Sequence, residues 1–319
     1  MRLLKLIPDN TNIDFIRWRF VAMGISLLLI AASVALVATR GFNLGIDFVG
    51  GQMVRAHFSQ PVPLDRLRER IDALGLGEAT IQQFGSPQEV SIRMPLPPGD
   101  EAAANAAADK VKQTVMESFP GTRFDAVETV SGKVSGELFR TGAWAIALAM
   151  LGISLYIWVR FEWQFGVGAL FALFHDVALT LGFFSLTQLE FNLNVVAAVL
   201  TIVGYSLNDT IVVYDRVREN LRKFRKMEIP ALLNLTVNET LSRTMVTSLS
   251  MIFALAVLLF LGPDTIFGLT AAILLGIVIG TYSSIYVANP ILIWLNVKSD
   301  SFVPSAAGKG GAERVGPAA

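Results

Sequence analysis

"FVAMGISLLLIAASVALVAT" runs from Phe20 to Thr39 as 20 residues without a charge. That is about the length an α-helix needs to cross the hydrocarbon of a bilayer. It also exceeds the roughly 7–15 apolar residues of a cleaved signal peptide. Although Arg17 and Arg19 precede it, it reads as a retained first membrane span. Lipid is therefore the solvent against which the rest of the chain has to be read.

Composition agrees. The 319 residues are 53% hydrophobic and only 16% charged, where a soluble domain carries about a quarter charged residues. Five further apolar stretches follow: Thr141 to Val159, Trp163 to Leu189, Phe191 to Tyr214, Thr244 to Pro263 and Thr265 to Val297. The last is longer than one crossing requires, and Asn289-Pro290 predicts a kink or an end to its membrane part. Arginine and lysine collect before the first span, between the fourth and fifth, and after the sixth. By the positive-inside rule this puts both termini in the cytoplasm. The expectation is a polytopic α-helical membrane protein of six spans. Its parts are a cytoplasmic N-terminus over 1–19, a first span over 20–39 and a five-helix bundle over 136–297. A basic cytoplasmic segment at 215–243 lies within that bundle, with one or two surface helices expected between Leu221 and Leu241. The tail over 298–319, rich in Gly, Ala, Pro and Ser, reads as disordered.

Residues 40–135 form an external, periplasmic insert between the first two spans. Strands are expected at Met53–Phe58, Ala79–Phe84, Glu89–Met94 and Arg123–Val130, with a turn at Gly85-Ser-Pro87. Helices are expected at Leu64–Leu74 and Glu101–Phe119. The order βαββαβ is that of a small α+β, ferredoxin-like domain. The stretch leading into it, "GFNLGIDFVGG" at 41–51, has too many glycines for regular structure and lacks the Gly-Lys-Ser/Thr element of a phosphate loop. Gly45, Asp47, Gly50 and Gly51 read as a structural turn, with Asp47 in a capping or turn role.

Several function classes fall away. Cysteine is absent and only His57 and His175 are present, so thiolate catalysis and a histidine-rich metal site have no ligands. A formal net charge of zero gives no global basicity to argue for nucleic acid. What remains is a set of ionisable residues inside the spans. Asp209 lies in the fourth, seven residues before Arg216. A carboxylate at mid-membrane costs about 2.5–3.5 kcal/mol, so it faces the bundle interior and carries function or a partner. Tyr205, Asp209, Val212 and Arg216 share one helix face, and Arg243 with Thr247 makes a one-turn face on the fifth span. His175-Asp176 adds ionisable groups in the third span. The bland reading is a structural Asp209–Arg243 pair and a satisfied His175. The functional one is a proton or ion relay.

Three blocks carry a family resemblance: "NLGIDFVGG" at 43–51, "GYSLNDTIVVYDRVREN" at 204–220 and "NETLSRTMVTS" at 238–248, with "HD" at 175–176 in register. Together they resemble the SecF family, the smaller subunits of the bacterial SecDF protein-export complex. The resemblance implies one half of an RND-like unit, completed to twelve spans by SecD. It also implies that the proton-motive force helps to draw preproteins from the SecYEG channel after SecA has pushed them, with YajC as a further partner. It implies no chemical reaction and no cofactor, with H⁺ as the coupling ion and Na⁺ as an alternative. Asp209 matches the family's membrane carboxylate and Arg243 its arginine. Asn208, Thr247, His175 and Asp176 complete the candidate proton pathway. Competing readings are an RND-type small-molecule exporter half and an intramembrane aspartyl protease using Asp176 and Asp209.

Overall fold

The structure, a computed structural model, describes residues 11–297 apart from residues 85 and 100. The expected tail at 298–319 and the turn glycine of the hairpin lie outside the described residues. Among those described, six helical stretches are long and apolar enough to cross a membrane. The first contains helix α1 (Arg19–Arg40). The next four are α5 (Gly132–Arg160), α6 (Trp163–Thr187), α7 (Leu193–Lys223) and α8 (Ile229–Leu261). The last runs through α9 (Phe267–Ser283), a π turn at Ser284–Ala288 and α10 (Asn289–Trp294). Between the first two spans lie a one-turn helix α2 (Ile46–Val49), strand β1 (Gly51–His57) and helix α3 (Leu64–Asp72). Strands β2 (Thr80–Phe84) and β3 (Ser86–Met94), helix α4 (Glu101–Ser118), and strands β4 (Arg123–Phe124) and β5 (Glu128–Val130) complete the insert.

The bundle core forms where α6, α7 and α9 meet, because these helices carry their small residues on facing sides. On α9, a side chain at Gly276 would collide with Ile202, and one at Gly280 would crowd Ser206. The two backbones therefore approach closely, as small residues permit in lipid. Around this contact Phe165, Leu173, Val199, Val203, Tyr214 and Val287 are buried. Outward residues of α5 and α8, among them Trp144, Leu151, Trp158, Phe253 and Phe260, are exposed and apolar, as a lipid-facing surface should be.

The sixth span breaks where Asn289-Pro290 predicts it. Pro290 has no N–H for the helical ladder, and the chain answers with the π turn just before it. Asn289 Nδ2 donates to the Ser284 carbonyl at 2.8 Å, and Tyr214 Oη to the Ala288 carbonyl at 2.9 Å. Two carbonyls of the irregular stretch thus have side-chain partners. Elsewhere the expectation needs correcting. No separate surface helix lies between Leu221 and Leu241. Instead α7 and α8 run on past their apolar parts and meet in a short turn after Lys223. Polar residues on this extension are used within the hairpin: Asn220 Nδ2 donates to Thr236 Oγ1 at 3.0 Å and to Glu239 Oε2 at 2.7 Å. Arg216 Nε donates to the same carboxylate at 2.8 Å.

The insert has the ferredoxin-like sheet order β2-β3-β1-β4. Alternation of apolar residues puts Val54, Ala56, Val90 and Ile92 on one face, which packs with Leu67, Ile71, Val111 and Val115 of α3 and α4. The single last strand expected over 123–130 is split. Ala56 pairs with Phe124 but Met53 with Glu128, so three steps on β1 match four on the edge strand. One extra residue is accommodated as a bulge, the usual device at a sheet edge.

His57, at the end of β1, lies between Glu89 at 3.3 Å and Asp125 at 3.1 Å. Burial pulls its pKa down, but hydrogen bonds and charge from Asp125 and Glu89 outweigh it and hold the imidazole above its ordinary value. A raised folded-state value stabilises the domain fully below about pH 6.5, the unfolded value, and the contribution is lost as pH rises through the folded value. Protection of the β1 amides, with the intrinsic pH dependence of exchange divided out, should therefore be greater at pH 5.5 than at pH 8.5. In His57→Gln that difference should shrink, and an unchanged difference would remove His57 as its source.

Candidate functional site within the membrane bundle

Asp209 sits on α7 and is 4% exposed. Its Oδ2 is buried without a hydrogen-bond partner among the described residues. Arg243 of α8 is the charge that acts on it, without a direct ion pair between them. Arg243 and Thr247 are exposed on the outer side of α8, and Asn208 is exposed on α7. Thr247 Oγ1 turns back to its own helix, donating to the carbonyls of Arg243 at 3.1 Å and Thr244 at 2.9 Å. A polar flank results: Thr201, Gly204 and Asn208 along α7, and Arg243, Thr247 and Ser250 along α8, all exposed.

His175 and Asp176 form a different kind of site. Both are buried on α6, at 0% and 1% exposure, with His175 Nδ1 2.8 Å from Asp176 Oδ1. Asp176 Oδ2 accepts from Ser206 Oγ at 2.5 Å and from Ser283 Oγ at 2.8 Å. With the His175 proton on Nδ1, three donors converge on one carboxylate from α6, α7 and α9. Tyr282 stacks on the imidazole at 6.0 Å between ring centroids, and its hydroxyl donates to the Ala22 carbonyl of α1 at 2.9 Å. Four helices are thus tied through one buried polar centre.

The candidate pathway residues therefore fall into two groups. Asp209 and Arg243 stand together between α7 and α8. His175 and Asp176 stand apart, with Ser206, three residues before Asp209 on α7, reaching them. No contact among the described residues joins the two carboxylates. Ser283 and Tyr282 escape sequence reading because they lie in the uncharged sixth span, where only length speaks. Ser206 is visible there as one of several small hydroxyl residues, without a sign of which would bind a carboxylate.

The glycine-rich turn becomes a joint between the external domain and the bundle. Asp47 Oδ2 accepts from the Leu193 amide at 2.9 Å, so it caps the N-terminus of α7 from across the chain, where negative charge is favoured. Gly45 N donates to the Phe191 carbonyl at 2.9 Å, and Phe191 N to Asn43 at 2.8 Å. A side chain at Gly45 would run into Glu190, and Gly51 takes φ +119° against the Met94 carbonyl. The sheet adds its own ties. Arg93 of β3 donates to the Leu44 carbonyl and, at 3.1 Å, to Asn43 Oδ1. Gln82 of β2 donates to the Gln188 carbonyl at 3.0 Å. Glu190 in the same joint is pushed up by burial, against the pull of Arg55 and Arg93 and with Glu128 adding to the rise. Burial likewise pulls Arg93 down, countered by Glu190.

Fold and site together define a multi-pass membrane protein built as a single six-helix unit with one small external domain. Comparison with known proteins supplies the family. Residues 110–298 match the family described as protein export membrane protein SecD/SecF, C-terminal, and residues 35–62 match the SecD/SecF GG motif. Protein translocase subunit SecF of Desulfurispirillum indicum is 45% identical over 287 residues, covering 88% of this chain and 91% of that protein. The same subunit of Vibrio alginolyticus is 40% identical and covers 98% of both. The crystal structure of SecDF, a translocon-associated membrane protein from Thermus thermophilus, aligns with a TM-score of 0.83 at 36% identity. It covers 92% of this chain, which spans 40% of the SecDF chain. This chain belongs to the SecF family of protein translocase subunits.

Replacing Asp176 should be a structural lesion. Asp176→Ala strands up to three buried donors, at roughly 1–3 kcal/mol for each group left without an acceptor. Thermal unfolding in detergent should show a lowered midpoint. Asp176→Asn, which keeps an acceptor toward the two serines, should recover much of the loss. Equal midpoints for Asp176→Ala and the parent chain would contradict this.

Proposed function

We propose that this chain is the proton-handling half of an export motor, in which reversible protonation of Asp209 biases the position of the external domain. The observation that carries the reading is the state of Asp209: buried, one oxygen without a partner, and Arg243 close enough to feel its charge. Burial without donors disfavours the charged form of a carboxylate, so a residue so placed suits reversible proton uptake. Support for a shared pathway comes from the polar flank around Asn208, Arg243 and Thr247. Facing lipid, that flank would be costly. Covered by a second six-span half with its own carboxylate, it would line a route for protons. The SecDF neighbour's greater length leaves room for such a half, and SecD is the partner this reading requires.

The scale of the energy fits. One charge crossing the membrane releases about 2.3 kcal/mol per 100 mV, enough to shift a two-state domain equilibrium if the states differ in Asp209 protonation. Such a cycle makes and breaks only an O–H bond, so the chain acts as a transport subunit without a reaction or cofactor of its own. In this reading it sits in the bacterial inner membrane with both ends cytoplasmic. It helps preproteins leave SecYEG after SecA-driven entry, with YajC alongside.

Asp209→Asn should test this in proteoliposomes containing the chain, its SecD-type partner and the translocon. Proton flux and potential-dependent release of a trapped preprotein should fall to the level of vesicles lacking the complex. The thermal midpoint should stay where it was, since Asp209 Oδ2 makes no bond to lose. Undiminished flux and release in the variant would sink the proposal. Flux that requires sodium instead of a pH gradient would reassign the coupling ion.

A further inference from the structure

At the end of the bundle away from the sheet domain, α5 and α7 leave a groove of about 590 Å³ lined by Arg160, Asp215, Arg218, Glu219, Arg222 and Lys223. Two of these residues sit over the buried Phe161, the guanidinium carbons of Arg160 and Arg218 lying 5.0 and 5.2 Å from its ring centroid. One aromatic ring thus gathers two like charges, an arrangement that is unfavourable until an anion joins them. The acidic residues present balance it only in part. Glu219 is held by Arg216 at 2.6 Å. Asp215 pairs with Arg160 at 3.5 Å, with both side chains largely exposed. Glu162 feels the charge of Arg218, while burial raises its pKa. Arg218 Nε is buried without a hydrogen-bond partner among the described residues.

The surroundings fix the level of this groove. Tyr156, Trp158 and Trp163 are exposed around it, and such aromatic rings collect where a bilayer meets water. Farther up α5, Leu155, Leu151 and Leu148 make an exposed apolar stripe. A ligand that satisfies both parts needs an anionic head with a planar-fork acceptor and a hydrocarbon tail.

We propose that the groove binds the phosphodiester of an anionic phospholipid. The forks of Arg218 and Arg160 hold the phosphate oxygens, Arg222 and Lys223 flank the headgroup, and the acyl chains lie along Tyr156, Leu155 and Leu151. Arginine suits this role because its N–H groups match two phosphate oxygens at once, and basic pockets between membrane helices are known to bind such headgroups.

Native mass spectrometry of the full chain in neutral detergent provides the test, with dioleoylphosphatidylglycerol, dioleoylphosphatidylcholine and sodium phosphate as probes. Phosphatidylglycerol should be retained in preference to phosphatidylcholine. Removing a basic group near the surface should weaken it about fivefold, so Arg218→Gln combined with Arg222→Gln should lose more than either alone. Lys226→Gln, outside the groove lining, should bind as the parent does. Arg218→Lys keeps the charge but not the fork and should fall between. Equal retention of both lipids, or unchanged phosphatidylglycerol binding in the double variant, would overturn the proposal. Displacement of the lipid by millimolar phosphate would also overturn it, marking a free-phosphate site instead.

Discussion

A carboxylate withdrawn from water into a helical bundle must either be surrounded by donors or remain ready to change its charge. This chain contains one of each. Asp176 has a histidine and two serines turned onto it from three helices, and the cost of its burial is offset by bonds that also fix how those helices meet. Asp209 lies on the neighbouring α7 with an oxygen that nothing holds. The contrast assigns different work to two residues of the same type. Where the donors converge, the bundle is locked. Where they are missing, the carboxylate ties no helices together among the described residues. Both conditions are needed if proton uptake is to move a domain instead of melting a helix.

In the proposed cycle movement has to be passed on, and the glycine-rich joint is where the sheet domain meets the bundle. The glycine-rich turn meets the α6–α7 loop by backbone bonds, and Asp47 caps the helix on which Asp209 is carried. A shift of α7 along its axis is therefore felt directly where the external domain begins. Arg93 reaches from the sheet to the glycine-rich turn and Gln82 to the α6–α7 loop, while Phe42 and Phe48 pack on Phe191 beside these polar contacts.

Much of the architecture was legible in the sequence, since span length, charge placement and strand alternation are local signals. Phe20 to Thr39 could be nothing but a span, and Pro290 announced the break that the π turn carries out. The two carboxylates were visible too, because charges in an apolar run are conspicuous. Their difference was not. Ser206, Ser283 and Tyr282 are ordinary residues of membrane helices, and only the crossing of α6, α7 and α9 makes three of their polar groups converge on His175 and Asp176. The basic extension was misread for a related reason. Alternating Leu, Val and Arg suits a surface helix, yet Asn220, Thr236 and Glu239 pair across a hairpin, a long-range fact that periodicity does not carry.

The bulged edge of the external sheet has a consequence for the company this domain keeps. A translocase subunit works beside chains that are still extended, each able to add itself as one more strand to any open sheet border. Here the β4–β5 border offers only fragments of two and three residues, out of step with one another. The opposite border, β2, is engaged through Gln82 with the α6–α7 loop. The β4–β5 side presents no unbroken run of free backbone. Along that border an extended strand finds no even template to zip onto.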